Sequence, residues 1–593
     1  MLHDKDLVSI QEVRSKTEKA WAASRKYRAY TQEQVDAIVE RMAAAARAHS
    51  ERLAEMAAAE TGYGNGKDKH AKNLLCADLL PRRMRGLKTV GVLREIPEER
   101  VIEIGVPVGV VAAILPTTNP TSTAIYKSLI SLKAGNAVVL SPHPNARQCT
   151  CETAGILYGA AVEAGAPEDI LQCITNPTLE GTNALMRHER TGVILSTGGH
   201  GIVKAAYSSG KPAFGVGPGN VPVLIESSAD IAGAVAKVVE GKSFDYGTVC
   251  SSEQAIVAES GLRDAIVAEL KARKAYFCSP AEREALGKLL LTPNWTVNPK
   301  CVGQPPDKIA SMAGFQVPSG TSILVAEIEG IGKQHPLSAE KLSPVLALYF
   351  VADFAAALDA CEAILRFGGL GHTCVIYSKD DARIREFGMR MPAFRILVNT
   401  PAPQGSTGIT TNVFPSMTLG CGAMAGNITS DNIGPLHLIN IKRIAYAVRS
   451  AEEAFEVPVT GAAGAATADR RTVGAAVERY LAQRGIAVSP AAPAAASPAP
   501  TPSCGCSDRA PAPFAAAQVV DRFLAARRTP SPAASAGPDP ARIPPPPPVV
   551  DFVCESDVRA AIQAAKKIYI GRKTIVTPAA RELADRHDIL VST

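Results

Sequence analysis

The chain has 593 residues, with 63 Lys and Arg against 57 Asp and Glu for a formal charge of +6, 46% hydrophobic residues and 5% aromatics. That length supports a large core without disulfides, and nearly balanced charge without long basic runs makes nucleic acid a poor partner. No stretch approaches the ~18–20 apolar residues of a membrane span, Met1–Arg14 is too charged for a secretory signal, and thirteen scattered cysteines fit free thiols in a reducing, cytoplasmic setting.

Residues 31–60 carry a helical pattern, with Val35, Ile38, Val39, Met42, Leu53 and Met56 recurring at three and four residues. Residues 88–104 read as a hairpin, followed by a buried strand in Val106–Leu115. Apolar strands then alternate with Ala-rich helices. The strands are Val110–Leu115, Ala137–Leu140, Ile170–Ile174, Val193–Ser196 and Val221–Ile225; the helices include Ser122–Leu132 and Asn145–Ala164. That alternation predicts an α/β fold with a doubly wound parallel sheet. A second such region spans 228–420, with strands near Gln254–Val257, Thr321–Ala326, Val345–Phe350, Thr373–Tyr377 and Ile396–Asn399. Pro435–Arg449 reads as a further strand.

Beyond Val457 the texture changes. Sixteen of the 43 prolines lie between Pro490 and Pro548, among Ala, Ser and Gly, a composition that cannot pack a core. Two amphipathic helices are predicted on this tether, 471–486 and 514–528. Helices this short are marginal alone and need a docking surface. Residues 551–593 look globular again, with a helix in Val558–Ala565, a strand in Lys567–Ile570, and Thr577 capping a helix whose first residue is Pro578. Cys504 and Cys506 supply two thiols where a structural zinc wants four ligands, so no metal site is predicted.

One cysteine stands out by context. Cys250 lies in Ser243–Gln254 (SFDYGTVCSSEQ), where Gly247 permits a tight turn and an apolar strand follows. Other segments accompany it in order: Pro116–Thr123 (PTTNPTST), Lys133–Asn136, Ser141–Pro144, Ser196–Gly201 (STGGHG), Phe214–Asn220 (FGVGPGN), Glu340–Pro344, Gly368–His372 and Thr418–Gly422. Together they resemble the aldehyde dehydrogenase superfamily over residues 1–450. Within it they resemble the CoA-acylating branch: the aldehyde half of bifunctional aldehyde–alcohol dehydrogenases, and the propionaldehyde and acetaldehyde dehydrogenases of bacterial microcompartments.

The resemblance implies a Rossmann-type cofactor domain at 1–218 that includes the hairpin, a catalytic domain at 219–425, and a return and oligomerisation segment at 426–457. A linker at 458–550 and a small module at 551–593 complete the division. It implies that Cys250 attacks an aldehyde, giving a thiohemiacetal, while Asn119 and the Cys250 backbone N–H hold the oxyanion. Hydride would pass to NAD, with NADP not excluded, and coenzyme A would take the acyl group from the Cys250 thioester. Thr197, Gly198 and Gly199 match the pyrophosphate turn, Glu340 the nicotinamide-ribose carboxylate, and Ser141 and Pro142 fall in the adenosine-ribose segment. His372 would assist CoA deprotonation or tune the thiolate. Hydrolytic relatives carry a glutamate where this chain has Phe214–Gly217, so thiolysis should prevail over hydrolysis. The tail resembles peptides that dock cargo enzymes to microcompartment shells, which places the enzyme in a microcompartment lumen with shell proteins as partners. The family's oligomerisation strands imply a homodimer or tetramer. Two further readings are an acyl-phosphate-type semialdehyde reductase and an inactive cargo or scaffold protein.

Overall fold

The computed structural model describes residues 4–455, 550–564, 566–587 and 589–592. The chain forms two compact units, Met1–Ala463 and Gly464–Thr593. The amphipathic segments 471–486 and 514–528, with Cys504 and Cys506, lie outside the described residues. Among the described residues no helix is long and apolar enough to cross a membrane.

The first unit opens on a helix the sequence pattern did not reveal, Lys5–Tyr27, capped by the Asp4 carboxylate on the N–H groups of Asp6 and Leu7. Its buried residues are Ser9, Val13, Thr17, Ala20, Ala23, Ser24 and Tyr27, five of the seven small or polar, so the apolar period is masked. The predicted 31–60 helix is two helices, Gln32–Ala48 and Ser50–Thr61. His49, at φ −105° and ψ 6°, leaves the helical path between them. Thr31 starts the first with a reciprocal cap to Gln34, and Gly62 ends the second at φ +67°.

The hairpin is present as Gly91–Ile96 against Val101–Pro107, and Ile439–Ala445 adds antiparallel on the other side of Val101–Pro107. Of the Pro435–Arg449 segment only Ile439–Ala445 is strand; Pro435–Leu438 is a 3-10 turn. Ile441 and Ile444 on the added strand are exposed.

Two parallel sheets form the body. The first has the order Leu171–Cys173, Ala137–Ser141, Val110–Ile114, Thr191–Ser196, Ala213–Gly215. Its central strands Val110–Ile114 and Ala137–Ser141 are buried at every residue, as expected of parallel strands covered on both faces. The second has seven parallel strands in the order Tyr276–Phe277, Leu324–Glu327, Val345–Val351, Glu253–Glu259, Val221–Ile225, Gly371–Tyr377, Ala393–Val398. The chain then returns: Met417, Ile433, Leu438 and Ile439 pack into the first sheet's core, and Asn136 Nδ2 donates to the Leu438 carbonyl at 2.8 Å.

The second unit holds a three-stranded parallel sheet, Val550–Val553, Ile568–Val576 and Leu590–Ser592, with helices Glu555–Gln563 and Pro578–His587. Its middle strand runs six residues further than expected. Val553, Val558, Ala561, Ala580, Ala584 and Ile589 form its core.

Candidate active site

Strand order locates the site. In the first sheet the connection reverses between Val110–Ile114 and Thr191–Ser196, and ligands of such sheets bind beyond the carboxyl ends at that switch point. The segments leaving those two ends are Pro116–Asn119 and Thr197–Gly199. The second sheet contributes its amino ends. Gly219 and Asn220 precede Val221–Ile225, Cys250 precedes Glu253–Glu259, Ser343 precedes Val345–Val351, and His372 stands at the start of Gly371–Tyr377.

Asn119 sits immediately before the helix Pro120–Lys133. Lys72 Nζ donates to its Oδ1, which leaves the amide nitrogen as the group free to donate; Nδ2 otherwise reaches only Thr118 Oγ1, at 3.1 Å. Lys72 also pairs with the Asp245 carboxylate and donates to Thr248 Oγ1 at 3.3 Å. Lys69, one helical turn earlier, reaches Asp245 at 3.1 Å and the Thr118 carbonyl at 2.9 Å. Lys69, Lys72 and Asp245 are all buried. The carboxylate also accepts from Asn65 N–H at 2.8 Å and Thr248 Oγ1 at 2.5 Å. Burial pushes the Lys72 ammonium down to about 8 against the opposing pull of Asp245. One buried ion cluster therefore holds both Asn119 and the turn leading to Cys250. Asp245 and Tyr246 take φ +47° and +51° in that turn, conformations that cost side-chain-bearing residues energy and need such support.

Cys250 is half-buried. Burial, with the Glu340 carboxylate nearby, pushes its thiol up to about 12. Gly219 fits against it: a Cβ there would fall 2.0 Å from the Cys250 carbonyl oxygen and 3.4 Å from His372 Cδ2. Gly219 N–H donates to Glu340 Oε1 at 3.1 Å. Cys250, His372 and Glu340 are thus brought together around one glycine, and burial raises the Glu340 carboxyl to about 8. Behind His372, its Nδ1 lies 2.9 Å from Thr373 Oγ1, and Arg395 Nε donates to the same oxygen at 3.3 Å. Cys421 is buried with its sulfur 4.0 Å from Arg395 Nη2. His437 caps its own turn, 3.1 Å from Gly434 N–H and 3.2 Å from Asp431.

The Thr197–Gly199 turn fits a dinucleotide pyrophosphate. It opens the helix His200–Tyr207, whose first turn has no side-chain cap, and an added Cβ at Gly199 or Gly201 would meet nothing. Ser196 Oγ and Thr197 Oγ1 are buried without a partner inside the protein. Unpaired donors and a helix amino end favour a bound anion. Beneath it Lys127 Nζ donates to the Ile114 and Leu195 carbonyls at 2.6 and 2.9 Å, tying the two switch-point strands together. Ser141 and Pro142 are buried beyond the neighbouring strand, and Ser141 Oγ is 3.0 Å from Thr182 Oγ1, so that hydroxyl is already engaged.

Sequence reasoning missed Lys69, Lys72, Asp245, Lys127, Thr373 and Arg395. Lys69 and Lys72 sit in the charged stretch GKDKHAKN, and only the packing shows that both are buried. A separate pocket of about 800 Å³, lined by Arg283, Trp295, Glu327, Lys333 and Leu337 among others, contains none of the groups around Cys250. Among the described residues no cluster of three or more His, Cys, Asp and Glu could hold a metal.

The profile of the aldehyde dehydrogenase family matches residues 6–280. A crystal structure of an acetylating aldehyde dehydrogenase from Geobacillus thermoglucosidasius superposes with a TM-score of 0.75 at 51% identity, covering 76% of this chain and 99% of that one. The chain belongs to the aldehyde dehydrogenase family. The bifunctional aldehyde-alcohol dehydrogenase AdhE of Escherichia coli (strain K12) is 45% identical over 444 residues, which are 74% of this chain and 50% of the relative. The chain thus spans about half the length of the bifunctional relative it matches. A propionaldehyde dehydrogenase from Rhodopseudomonas palustris, solved with bound CoA and an acylated cysteine, gives a TM-score of 0.65 at 28% identity, covering 73% of this chain and 97% of that one.

Proposed function

We propose that the protein is an acylating aldehyde dehydrogenase that converts a short-chain aldehyde, NAD and coenzyme A to acyl-CoA and NADH. Propionaldehyde is the first candidate substrate and acetaldehyde the second. Cys250, its thiol proton passing to water, adds through sulfur to the aldehyde carbonyl carbon, and as the carbonyl π bond opens the oxygen takes negative charge, to which the Asn119 amide N–H donates a hydrogen bond. Lys72 keeps that amide facing the right way. The dinucleotide, held at Thr197–Gly199 and by Glu340, supplies the hydride acceptor. The thioester left on Cys250 is then open to a second nucleophile. The observation that carries the reading is the segment at Phe214–Gly217: it holds no carboxylate to activate water, while a thiol is partly ionised near neutral pH without such a base. A family neighbour captured with CoA and an acylated cysteine supports the same partner.

The exposed strand Ile439–Ala445 invites pairing across a homodimer or a dimer of dimers. The Pro-rich tether would address the enzyme to a microcompartment shell. Purified protein with propionaldehyde and NAD, with and without CoA, tests the chemistry. NADH formation should require CoA and yield propionyl-CoA. Equal rates without CoA would overturn acylation, phosphate replacing CoA would favour the acyl-phosphate route, and no turnover would favour a scaffold. A chain truncated after residue 457 should keep turnover and lose co-sedimentation with shell proteins; retained co-sedimentation would refute addressing by the tail.

A further inference from the structure

Cys151 and Cys173 stand outside the groups gathered around Cys250, and their sulfurs lie 3.2 Å from one another. Cys151 is on the helix Arg147–Glu163, and Cys173 ends the edge strand Leu171–Cys173 of the first sheet, 22 residues further on. Both are half-buried. Among the described residues no other two cysteine sulfurs touch. Cys149, two residues earlier on the same helix, is fully buried, and its thiol donates to the Ala146 carbonyl at 3.5 Å. A frame of polar contacts holds the pair. The Cys173 carbonyl accepts from Lys16 Nζ, and Lys16 pairs with Glu12 at 2.7 Å. Glu12 accepts from the Thr175 and Asn176 N–H groups at 2.7 and 2.9 Å, and Arg147 Nη1 donates to the Thr175 carbonyl at 3.3 Å. The same groups set the charge. A hydrogen bond from the Cys173 thiol, with Lys16 and Arg147 nearby, holds Cys151 below the usual thiol range against burial and Glu12, while Cys173 is held well above it. A half-exposed sulfur with thiolate character beside a second, protonated thiol is the arrangement in which one cysteine is oxidised and the other resolves it.

We propose that Cys151 and Cys173 form a modification site at which a hydroperoxide closes a reversible disulfide, clamping the edge strand of the first sheet to the helix Arg147–Glu163. The Cys151 sulfur attacks one oxygen of the O–O bond. That bond breaks, the other oxygen leaves as an alcohol (water, for hydrogen peroxide) with the thiol proton, and Cys151 becomes a sulfenic acid. The Cys173 sulfur then attacks the Cys151 sulfur, the S–O bond breaks, and hydroxide leaves as water with the Cys173 proton. The two thiols lose two electrons in all, and the peroxide takes both. The sulfurs must close from 3.2 Å to about 2.05 Å, an approach of only about 1 Å. Cys173 pairs in register with Leu140, the residue before Ser141, and the helix carrying Cys151 follows directly on Pro144–Ala146. The bond therefore ties together the two elements that flank Ser141 and Pro142.

The test is peptide mass mapping of the full chain, reduced, titrated with hydrogen peroxide, alkylated and digested without reductant. The expected product is a bridged peptide pair holding Cys151 and Cys173, lighter by two hydrogens than its two reduced halves, formed before Cys149 is oxidised and undone by dithiothreitol. Amide exchange over residues 147–155 and 171–175 should slow at least about tenfold once the bridge is closed, because local opening of the edge is then restrained. In Cys173→Ser the resolving thiol is gone, so Cys151 should stop at the sulfenic acid and be trapped by dimedone. In Cys151→Ser, Cys173 should stay a thiol at the peroxide dose that bridges the parent. Cys151 reaching sulfinic acid in the parent with no bridge, a bridge from either residue to a different cysteine, or unchanged exchange after bridging overturns the proposal. So does Cys173 oxidised as readily in Cys151→Ser as in the parent. The mapping and exchange use the parent chain, so they decide the matter even where a serine variant fails to fold. None of these readouts uses turnover, so each stands whatever the nucleophilic role of Cys250.

Discussion

Lys72→Met is the substitution whose consequences the structure specifies most fully. The side chain loses its bonds to Asn119 Oδ1, Asp245 and Thr248 Oγ1 but keeps its bulk. Removing one member of a buried ion pair costs about 3–5 kcal/mol when the other is left alone. Asp245 is not left alone: Lys69 at 3.1 Å, Thr248 Oγ1 at 2.5 Å and Asn65 N–H at 2.8 Å remain. The loss in stability should therefore sit at the low end, about 3 kcal/mol, read by urea unfolding. The catalytic loss arises separately. Losing an oxyanion donor costs about 10²–10³ in rate. Without Lys72 the amide is free to turn, so kcat/KM for the aldehyde should fall by about 10–10², within that ceiling, with the KM for CoA unchanged. The decisive measurement is a double-mutant cycle with Asn119→Ala. If Lys72 acts through Asn119, its replacement costs less than about threefold once the amide is gone. Full additivity would refute the argument and leave Lys72 as a support for the Cys250 turn alone.

Three further outcomes follow from the same geometry. Gly219→Ala places a Cβ 2.0 Å from the Cys250 carbonyl oxygen, so the Cys250 backbone must move by about 1 Å and turnover in steady-state assays should fall about 10²-fold; unchanged turnover would contradict that close approach. In Glu340→Gln the KM for NAD should rise, and Cys250 should be alkylated faster than in the parent only above about pH 8, where the Glu340 carboxyl ionises and holds the thiol protonated; equal rates above that pH would contradict the proximity. Buried Glu226 is held down to about 2: burial would raise it, but hydrogen bonds from Ser228, Ser378 and Ser227 outweigh that, and Arg383 pairs with it at 2.6 Å. A depressed carboxyl contributes stability above its ordinary value of 4.5, and loses it as pH falls towards about 2. Glu226→Gln should thus lower the thermal midpoint at pH 7 and flatten its fall between about pH 4.5 and 2.

Elements with a strong apolar signal were legible from sequence. Val221–Ile225 was placed to the residue and the other predicted body strands within three, because a buried parallel strand is a short uninterrupted apolar run, whereas the short edge strands Ala213–Gly215 and Tyr276–Phe277 were missed. Lys5–Tyr27 was invisible because its buried stripe includes Ser9 and Thr17, and the 31–60 pattern hid a break at His49 because both helices keep the same period. The site divided along a similar line. Cys250, Asn119, Glu340 and the Thr197–Gly199 turn stand in distinctive segments. Lys72, Asp245, Thr373 and Arg395 act on the site from positions up to 173 residues from their partners, and no local pattern records that a lysine in a charged helix is buried. His372 shows the limit most clearly: the resemblance left open proton removal from CoA or tuning of the thiolate, and only the packing shows the ring fully buried against Thr373.

The arrangement of charges explains why an acyl enzyme here should await a thiol. Each cation around the site is already committed: Lys72 to Asn119 and Asp245, Lys127 to two strand carbonyls, and Arg395 to Thr373 and the Gly371 and Ser430 carbonyls. Each nearby carboxylate is held by a backbone N–H, Glu340 by Gly219 at 3.1 Å and Glu253 by Ala402 at 2.6 Å. Burial raises both to about 8, so near neutrality most of each stays protonated and only a minor fraction is ionised. What the site offers is a donor, the Asn119 amide, whose oxygen is already taken by Lys72. Donors stabilise an oxyanion whichever nucleophile creates it, but they do not make one. Water, with a pKa near 15.7, cannot supply its own anion in useful amount, whereas a thiol of pKa about 8.5 is a few per cent thiolate at pH 7. A pocket with a donor but little base thus selects the nucleophile that arrives already ionised.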